Sequence, residues 1–197
     1  FLDLCPHFFD FLWQLFGPPE WCSAHITQDG RSVTPADLFP GDEGMGLVAG
    51  NGIKAYYQFA DGCAADFESY QGDGKEIPYR IDIHGTTGTL SLPGPMSNQP
   101  DMYYHPLVNP GLINDPRWEA IPAEPPPDEH KWVKAHWRMA AAMVAMLRGE
   151  TPVFELVQLP NARLYLEMAL MAHASHIAGA RVRLPLGSAH NPFDDWR

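Results

Sequence analysis

The chain has 197 residues, 45% of them hydrophobic and 12% aromatic, which suits one domain with a packed core and is too apolar for a disordered segment. Thirteen basic against 24 acidic residues give a net charge of −11, which argues against a nucleic-acid ligand and disfavours an anionic membrane surface. The apolar runs are too short and too interrupted to span a bilayer, so no membrane segment is expected.

The first predicted element is a helix. Leu4, Phe8, Phe11, Leu12 and Leu15 recur at helical spacing, and Gly17-Pro18-Pro19 stops the run. Pro6 fits only in a first turn, so the helix begins near Asp3 to Cys5. Phe9, Trp13 and Phe16 occupy the other face, so the helix is covered on most sides. Asp3, His7 and Asp10 interrupt this apolar run, and buried ionisable groups are costly unless paired or used. Asp3 and His7 are four apart and share a face. A carboxylate beside an imidazole raises its pKa and fixes its tautomer, which suits a general base. The competing structural reading is a first-turn aspartate on the helix dipole and a core histidine.

Strands follow. "WCSAHIT" reads as one, and "GRSVTPADLFPGDEG" as a polar excursion with too few oxygens, at the wrong spacing, for a calcium loop. "GIKAYYQFADGCAADFESY" reads as a hairpin turning at Ala60-Asp61-Gly62. "YRIDIHGTTGTLSLPG" reads as a second, in which Tyr79, Ile81 and Ile83 alternate with Arg80, Asp82 and His84, the pattern of a sheet with one buried face. Residues 93–128 are proline-rich and read as a long loop with one short strand at "RWEAIP"; such a loop either serves a site or runs over the surface.

Two helices are expected over 129–148 and 159–178, ending at Gly149 and Gly179, with Leu164, Met168, Met171 and Ala172 on one face of the second. "ARVRLPL" reads as a final short strand and "GSAHNPFDDWR" as a polar tail on the surface. The order predicts an α+β domain: an open, mostly antiparallel sheet with helices packed on one face. Tyr56, Tyr57, Phe59, Phe67 and Tyr70 fall on both strand faces, and an uncovered face bearing them would be an apolar patch suited to a second copy of the chain.

Cys5, Cys22 and Cys63 are odd in number and lack a Cys-x-x-Cys pair, pointing to a reduced, cytoplasmic setting. His173 and His176, three apart, with His130 and His136 on the preceding helix, are a weak zinc pattern, and hydrogen-bonded helix histidines are the simpler reading; no metal site is assigned. Lys131, Trp132, Lys134, Trp137 and Arg138 interleave bases with aromatics, but the acidic balance excludes a nucleic-acid face there.

Three landmarks in order carry a resemblance. They are Asp3-x-x-x-His7 with Asp10 and Gly17, the hairpin turn with Gly85, Thr86, Gly88 and Thr89, and the closing helix with Ser175, Gly179 and Leu184-Pro185. Together they resemble the substrate domain of the glucose–fructose oxidoreductase, inositol dehydrogenase and rhizopine-catabolism (Gfo/Idh/MocA) family. The resemblance implies a separate Rossmann domain binding NAD or NADP and a lysine in a Glu-Lys-Pro segment. It also implies that the Asp and His orient and deprotonate a sugar or polyol hydroxyl. Carried over, His7 is the base and Asp3 its positioning partner, while Asp10 is structural. Tyr103, Tyr104 and His105 of the long loop, with His84 of the hairpin, are the further substrate contacts expected.

The sequence departs from the family in having no Gly-x-Gly-x-x-Gly that opens a helix and no Glu-Lys-Pro. The expectation is therefore a single substrate-binding and oligomerisation domain, 1–197, cut from a longer parent, binding no cofactor and inactive alone. The alternatives are a non-catalytic dimerisation module and, more remotely, a stand-alone hydrolase or lyase built on His7 and the other histidines.

Overall fold

The computed structural model describes residues 5–71, 80–93, 102–107, 118–122, 131–152, 159–187 and 190–197. The chain divides into two compact units, Phe1–Gln71 with Glu155–Arg197, and Gly72–Phe154.

The first unit contains helix α1 (Cys5–Phe16) and strands β1 (Trp21–Gln28), β2 (Arg31–Ser32), β3 (Phe39–Pro40), β4 (Leu47–Val48), β5 (Gly52–Gln58) and β6 (Ala64–Tyr70). The long helix Leu159–Ala178, here α3, belongs to it as well. The main sheet has the order β2-β1-β5-β6 and is antiparallel throughout. α1 and α3 both lie on one face, as the α+β reading predicts.

The register sorts the aromatics. Cys22↔Tyr57↔Ala65, Ala24↔Ala55↔Phe67 and Ile26↔Ile53↔Ser69 form rows beneath the helices. Tyr57, Phe59, Phe9, Met168 and Met171 are fully buried there, and each such side chain contributes about 1.5–3 kcal/mol by leaving water. The opposite face carries Ser23↔Tyr56↔Asp66 and His25↔Lys54↔Glu68. Of the five strand aromatics, Tyr56 and Tyr70 lie on this open face; it is mixed rather than apolar. Trp21 stacks on Tyr56 at 5.2 Å, Arg181 caps Trp21 at 4.0 Å, and Lys54 pairs with Glu68 at 3.1 Å.

The predicted hairpin turn at Ala60-Asp61-Gly62 is present. The helix stops are also where glycine predicts them: Gly17, after α1, and Gly149, after the helix Lys131–Leu147, both have positive φ.

Three expectations need correction. The final strand reduces to one bridge, Cys22↔Val182. The outward N–H groups of β1 are instead satisfied one after another by Val182 O at 2.9 Å, Ser175 Oγ at 2.9 Å and His176 Nδ1 at 3.1 Å. Side chains of α3 thus occupy the edge that a strand would take. The tail is not a polar surface end either: Phe193 is fully buried, stacked on His173 at 4.2 Å. Asn191 and Asp194 hold the backbone of Met45–Leu47 at 2.6–3.4 Å. Finally, the long loop contains a second strand.

The second unit has strands β7 (Arg80–His84), β8 (Gly88–Pro93), β9 (Met102–Pro106) and β10 (Glu119–Ile121), in the order β10-β9-β8-β7, with helix α2 (Lys131–Leu147). β7 and β8 are the predicted second hairpin and β10 the predicted short strand; Tyr79 lies outside the described residues. β9 escapes prediction because Met-Tyr-Tyr-His-Pro has no two-residue alternation. On α2, Ala142 is buried while Trp137, Met143 and Leu147 are exposed.

Candidate functional site

His7 sits in the first half of α1 and is exposed. Asp3 lies outside the described residues. His7, Asp10 and Gln14 follow at i, i+3 and i+7 on one stripe of the helix, and Gln14 Nε2 donates to Asp10 Oδ1 at 2.9 Å. Trp13, on the flank of this stripe, meets Tyr165 of α3 at 6.0 Å. Burial, with the Asp10 carboxylate beside it, pushes the Tyr165 hydroxyl up to about 12. Asp10 therefore has structural neighbours, while the imidazole of His7 faces outward.

Aromatic contacts fix how α1 crosses the sheet. Phe16 lies against Phe59 at 5.3 Å, and Phe9 against Tyr57 at 5.1 Å and Phe67 at 5.8 Å. α3 runs the other way: Tyr165 is beside Trp13, the Met168 carbonyl accepts from the Tyr57 hydroxyl at 2.9 Å, and His176 reaches Ile26. The start of α1 and the end of α3 therefore point to the same end of the sheet, the row Ile26–Ile53–Ser69. His7 belongs to that end.

The two α3 histidines are framework groups. His173 donates from Nδ1 to Asn191 Oδ1 at 3.1 Å, since that oxygen also accepts from Phe193 N and the amide nitrogen is used on Leu47 O. Burial pulls its pKa down to about 4. His176 accepts the Ile26 N–H on Nδ1 and donates from Nε2 to Val33 O at 3.3 Å; burial lowers its pKa as well. Each is bonded separately, and among the described residues no cluster of three His, Cys, Asp or Glu groups can hold a metal ion. Burial also pushes the Cys22 thiol up to about 12, so this core cysteine is not a nucleophile.

In the second unit, register brings together some of the expected contacts and separates others. His84↔Thr89↔His105 form one row, with His84 Nδ1 3.0 Å from Thr89 Oγ1. Asp82↔Ser91↔Tyr103 form the next row on the same face. Trp118 meets the His105 ring at 5.1 Å and the Arg80 guanidinium at 5.9 Å. Tyr104 points to the opposite face, where its hydroxyl donates to Thr87 O at 2.9 Å and braces the hairpin turn. His84, Tyr103 and His105 thus share a polar face, and Tyr104 has a structural role.

Among the described residues, neither of two close-set glycine pairs fits the phosphate-cradling turn of a nicotinamide dinucleotide site. Such a site needs a glycine turn between a strand and a helix N-terminus. Here Gly44-Met45-Gly46 and Gly50-Asn51-Gly52 lead into β4 and β5, both strands. A Cβ on Gly46 would meet the Asp194 carboxylate at 3.0 Å, so that glycine serves the tail.

Comparison with known proteins bears on this geometry. Residues 1–107 match the family model for the oxidoreductase family, C-terminal alpha/beta domain. The fold is similar to the WlbA dehydrogenase from Bordetella pertussis in complex with NADH and UDP-GlcNAcA. That match has 18% identity and a TM-score of 0.57, covering 92% of this chain and 44% of that one. It is also similar to levoglucosan dehydrogenase in complex with NADH and L-sorbose, at 14% identity and a TM-score of 0.63, covering 93% and 49%. An oxidoreductase domain protein from Kribbella flavida gives 15%, 0.62, 93% and 49%. At these identities the likeness is one of fold. The chain spans about half the length of the solved structures it matches. No curated protein sequence matches it.

Proposed function

The chain belongs to the Gfo/Idh/MocA oxidoreductase family through its C-terminal alpha/beta domain, and from that premise we propose that residues 1–197 are the substrate-binding and oligomerisation domain of an NAD- or NADP-dependent sugar or polyol dehydrogenase. The observation that carries this reading is the family match over residues 1–107, which contains the exposed imidazole of His7. Solved structures of the same fold that hold NADH with UDP-GlcNAcA or L-sorbose favour a carbohydrate-type substrate.

In this reading the nicotinamide is held outside these residues, and the domain alone does not turn over. His7 accepts the proton of the secondary hydroxyl being oxidised, and Asp3 orients the substrate. His84, Tyr103 and His105 remain proposed contacts. The odd cysteine count, with no Cys-x-x-Cys pair, supports a cytoplasmic setting for the enzyme. The open sheet face, with its Trp21–Tyr56 stack, pairs with a second copy. That stack also supports the second reading, a non-catalytic dimerisation module.

The test is turnover by the complete polypeptide with NAD+ or NADP+ and a panel of sugars and polyols. His7→Ala should lower kcat by about 10²–10⁴, the usual worth of a general base, while leaving unfolding unchanged. Full turnover in that variant would remove His7 from the chemistry. No turnover with any panel member would favour the dimerisation module.

A further inference from the structure

The hairpin of β1 and β2 turns through Asp29 and Gly30, both with positive φ, and pairs Gln28 with Arg31 and Thr27 with Ser32. The next pair in this register is Ile26 with Val33, both buried. A regular antiparallel ladder exchanges two backbone bonds at that position. Only one of them is made: Val33 N–H donates to Ile26 O at 3.1 Å. An imidazole from α3 takes the place of the other. Ile26 N–H donates to His176 Nδ1 at 3.1 Å, and His176 Nε2–H donates to Val33 O at 3.3 Å. The ring is inserted between the two strands as one link of their ladder.

This link works only for the neutral ring with its proton on Nε2. A protonated imidazole donates from both nitrogens, so its Nδ1–H would face the Ile26 N–H, donor against donor. Burial also opposes the charge. So do two further imidazoles: His25 of β1 lies 5.7 Å away, and His173 sits one turn earlier on α3. From the tail, Trp196 meets the ring edge-on at 5.6 Å, while the Asp194 carboxylate bears on His173 and holds Leu47 N. Among the described residues no carboxylate forms an ion pair with His176.

We propose that His176 is a proton-operated latch in the β1–β2 hairpin. Neutral, it bridges Ile26 to Val33; protonated, it leaves, and Ile26 N–H closes directly on Val33 O. Both arrangements satisfy the Ile26 N–H and the Val33 carbonyl, so the change is a local switch between two packings. Its effect reaches a cavity of about 300 Å³ lined by Ile26, Ile53, Ser69, Gly50 and His173. Closing the ladder shifts Ile26 and Val33, whose side chains both abut Gly50, at 2.7 and 3.1 Å from where a Cβ would stand. A proton taken up on α3 is thereby relayed to the cavity wall. The latch needs neither substrate nor cofactor, so it stands apart from the reaction proposed above.

The experiment is an NMR titration of the chain from about pH 8 to about pH 4.5, across the ordinary histidine range, beside His176→Gln. Glutamine offers an acceptor and a donor without taking a proton. At the alkaline end His176 should carry its proton on Nε2. On acidification the His176 ring, the Ile26 and Val33 amides and the Trp196 indole should shift with one midpoint. Below it, a coupling from Ile26 N across the hydrogen bond to the Val33 carbonyl carbon should appear. In His176→Gln the transition at Ile26 and Val33 should be lost. Four results would overturn the latch: a proton on Nδ1 at the alkaline end, a His176 that stays neutral throughout, Ile26 and Val33 amides unmoved while His176 titrates, or the same transition in His176→Gln. Simultaneous loss of the Phe9 and Tyr57 core signals would overturn it as well, because that is global unfolding. Should His176→Gln not fold, the tautomer and the shared midpoint of the parent chain decide alone.

Discussion

The hydroxyl of Ser175 accepts the Ala24 N–H at 2.9 Å and donates to Ala180 O at 2.7 Å, tying strand β1 to the last turn of α3 with one side chain. Ser175 is buried, so both backbone groups depend on it. Ser175→Ala should destabilise the fold by about 1–3 kcal/mol, the penalty of a buried polar group left without a partner. Urea unfolding checks this; a midpoint equal to that of the parent chain would show that water takes the place of the hydroxyl.

His173 makes stability depend on pH. Its folded pKa lies near 4, below the ordinary histidine value of 6.5, so the unfolded chain takes up this proton first. The contribution is therefore complete above about pH 6.5 and is lost as pH falls toward 4, on the order of 3 kcal/mol in all. Unfolding measured across that window should show the decline, and His173→Gln should flatten it. An equally steep decline in the variant would assign it to His176, whose pKa burial also lowers, or to carboxylates instead.

Phe193 tests the tail. Its ring lies between His173 at 4.2 Å and Trp196 at 5.5 Å with no exposed surface. Phe193→Ala should cost about 3–5 kcal/mol by leaving a cavity in the core. A loss below about 0.5 kcal/mol, typical of surface positions, would return the tail to the solvent.

The open face of β1, β5 and β6 tests self-association. Tyr56→Arg, introduced beside Trp21 and opposite Asp66, should shift sedimentation toward the monomer without altering the unfolding midpoint. A parent chain already monomeric at micromolar concentration would exclude this face as the dimer contact.

Elements with an internal period were legible in the sequence. α1 shows itself through Phe8, Phe11 and Leu15, and β7 through the alternation of Ile81 and Ile83 with charged residues. Elements created by long-range contacts were not. β9 exists because β8 offers it a partner, and β1 has its edge filled by Ser175 and His176, which lie about 150 residues away. The burial of Phe193 follows from Asn191 and Asp194 meeting the backbone of Met45–Leu47, a match that no local pattern announces. At the candidate site the spacing of Asp3 and His7 singled out α1. The cavity was invisible in sequence because its floor is assembled from Ile26, Ile53 and Ser69, one residue from each of three strands.

The bond from Leu47 N to Asp194 has a temporal consequence, because its two ends are 147 residues apart. On the ribosome, the β5–β6 hairpin and the β7–β8 hairpin can pair as soon as each emerges, since their partners are near neighbours. The layer of α3 and residues 190–197 follows both hairpins in the chain. Until α3 is made, the part of the sheet face that it covers stays open to water and to other chains, and until residues 190–197 follow, so does the backbone of Met45–Leu47. The nascent domain is thus most vulnerable to aggregation in the interval when its main sheet has formed and α3 has not yet covered it.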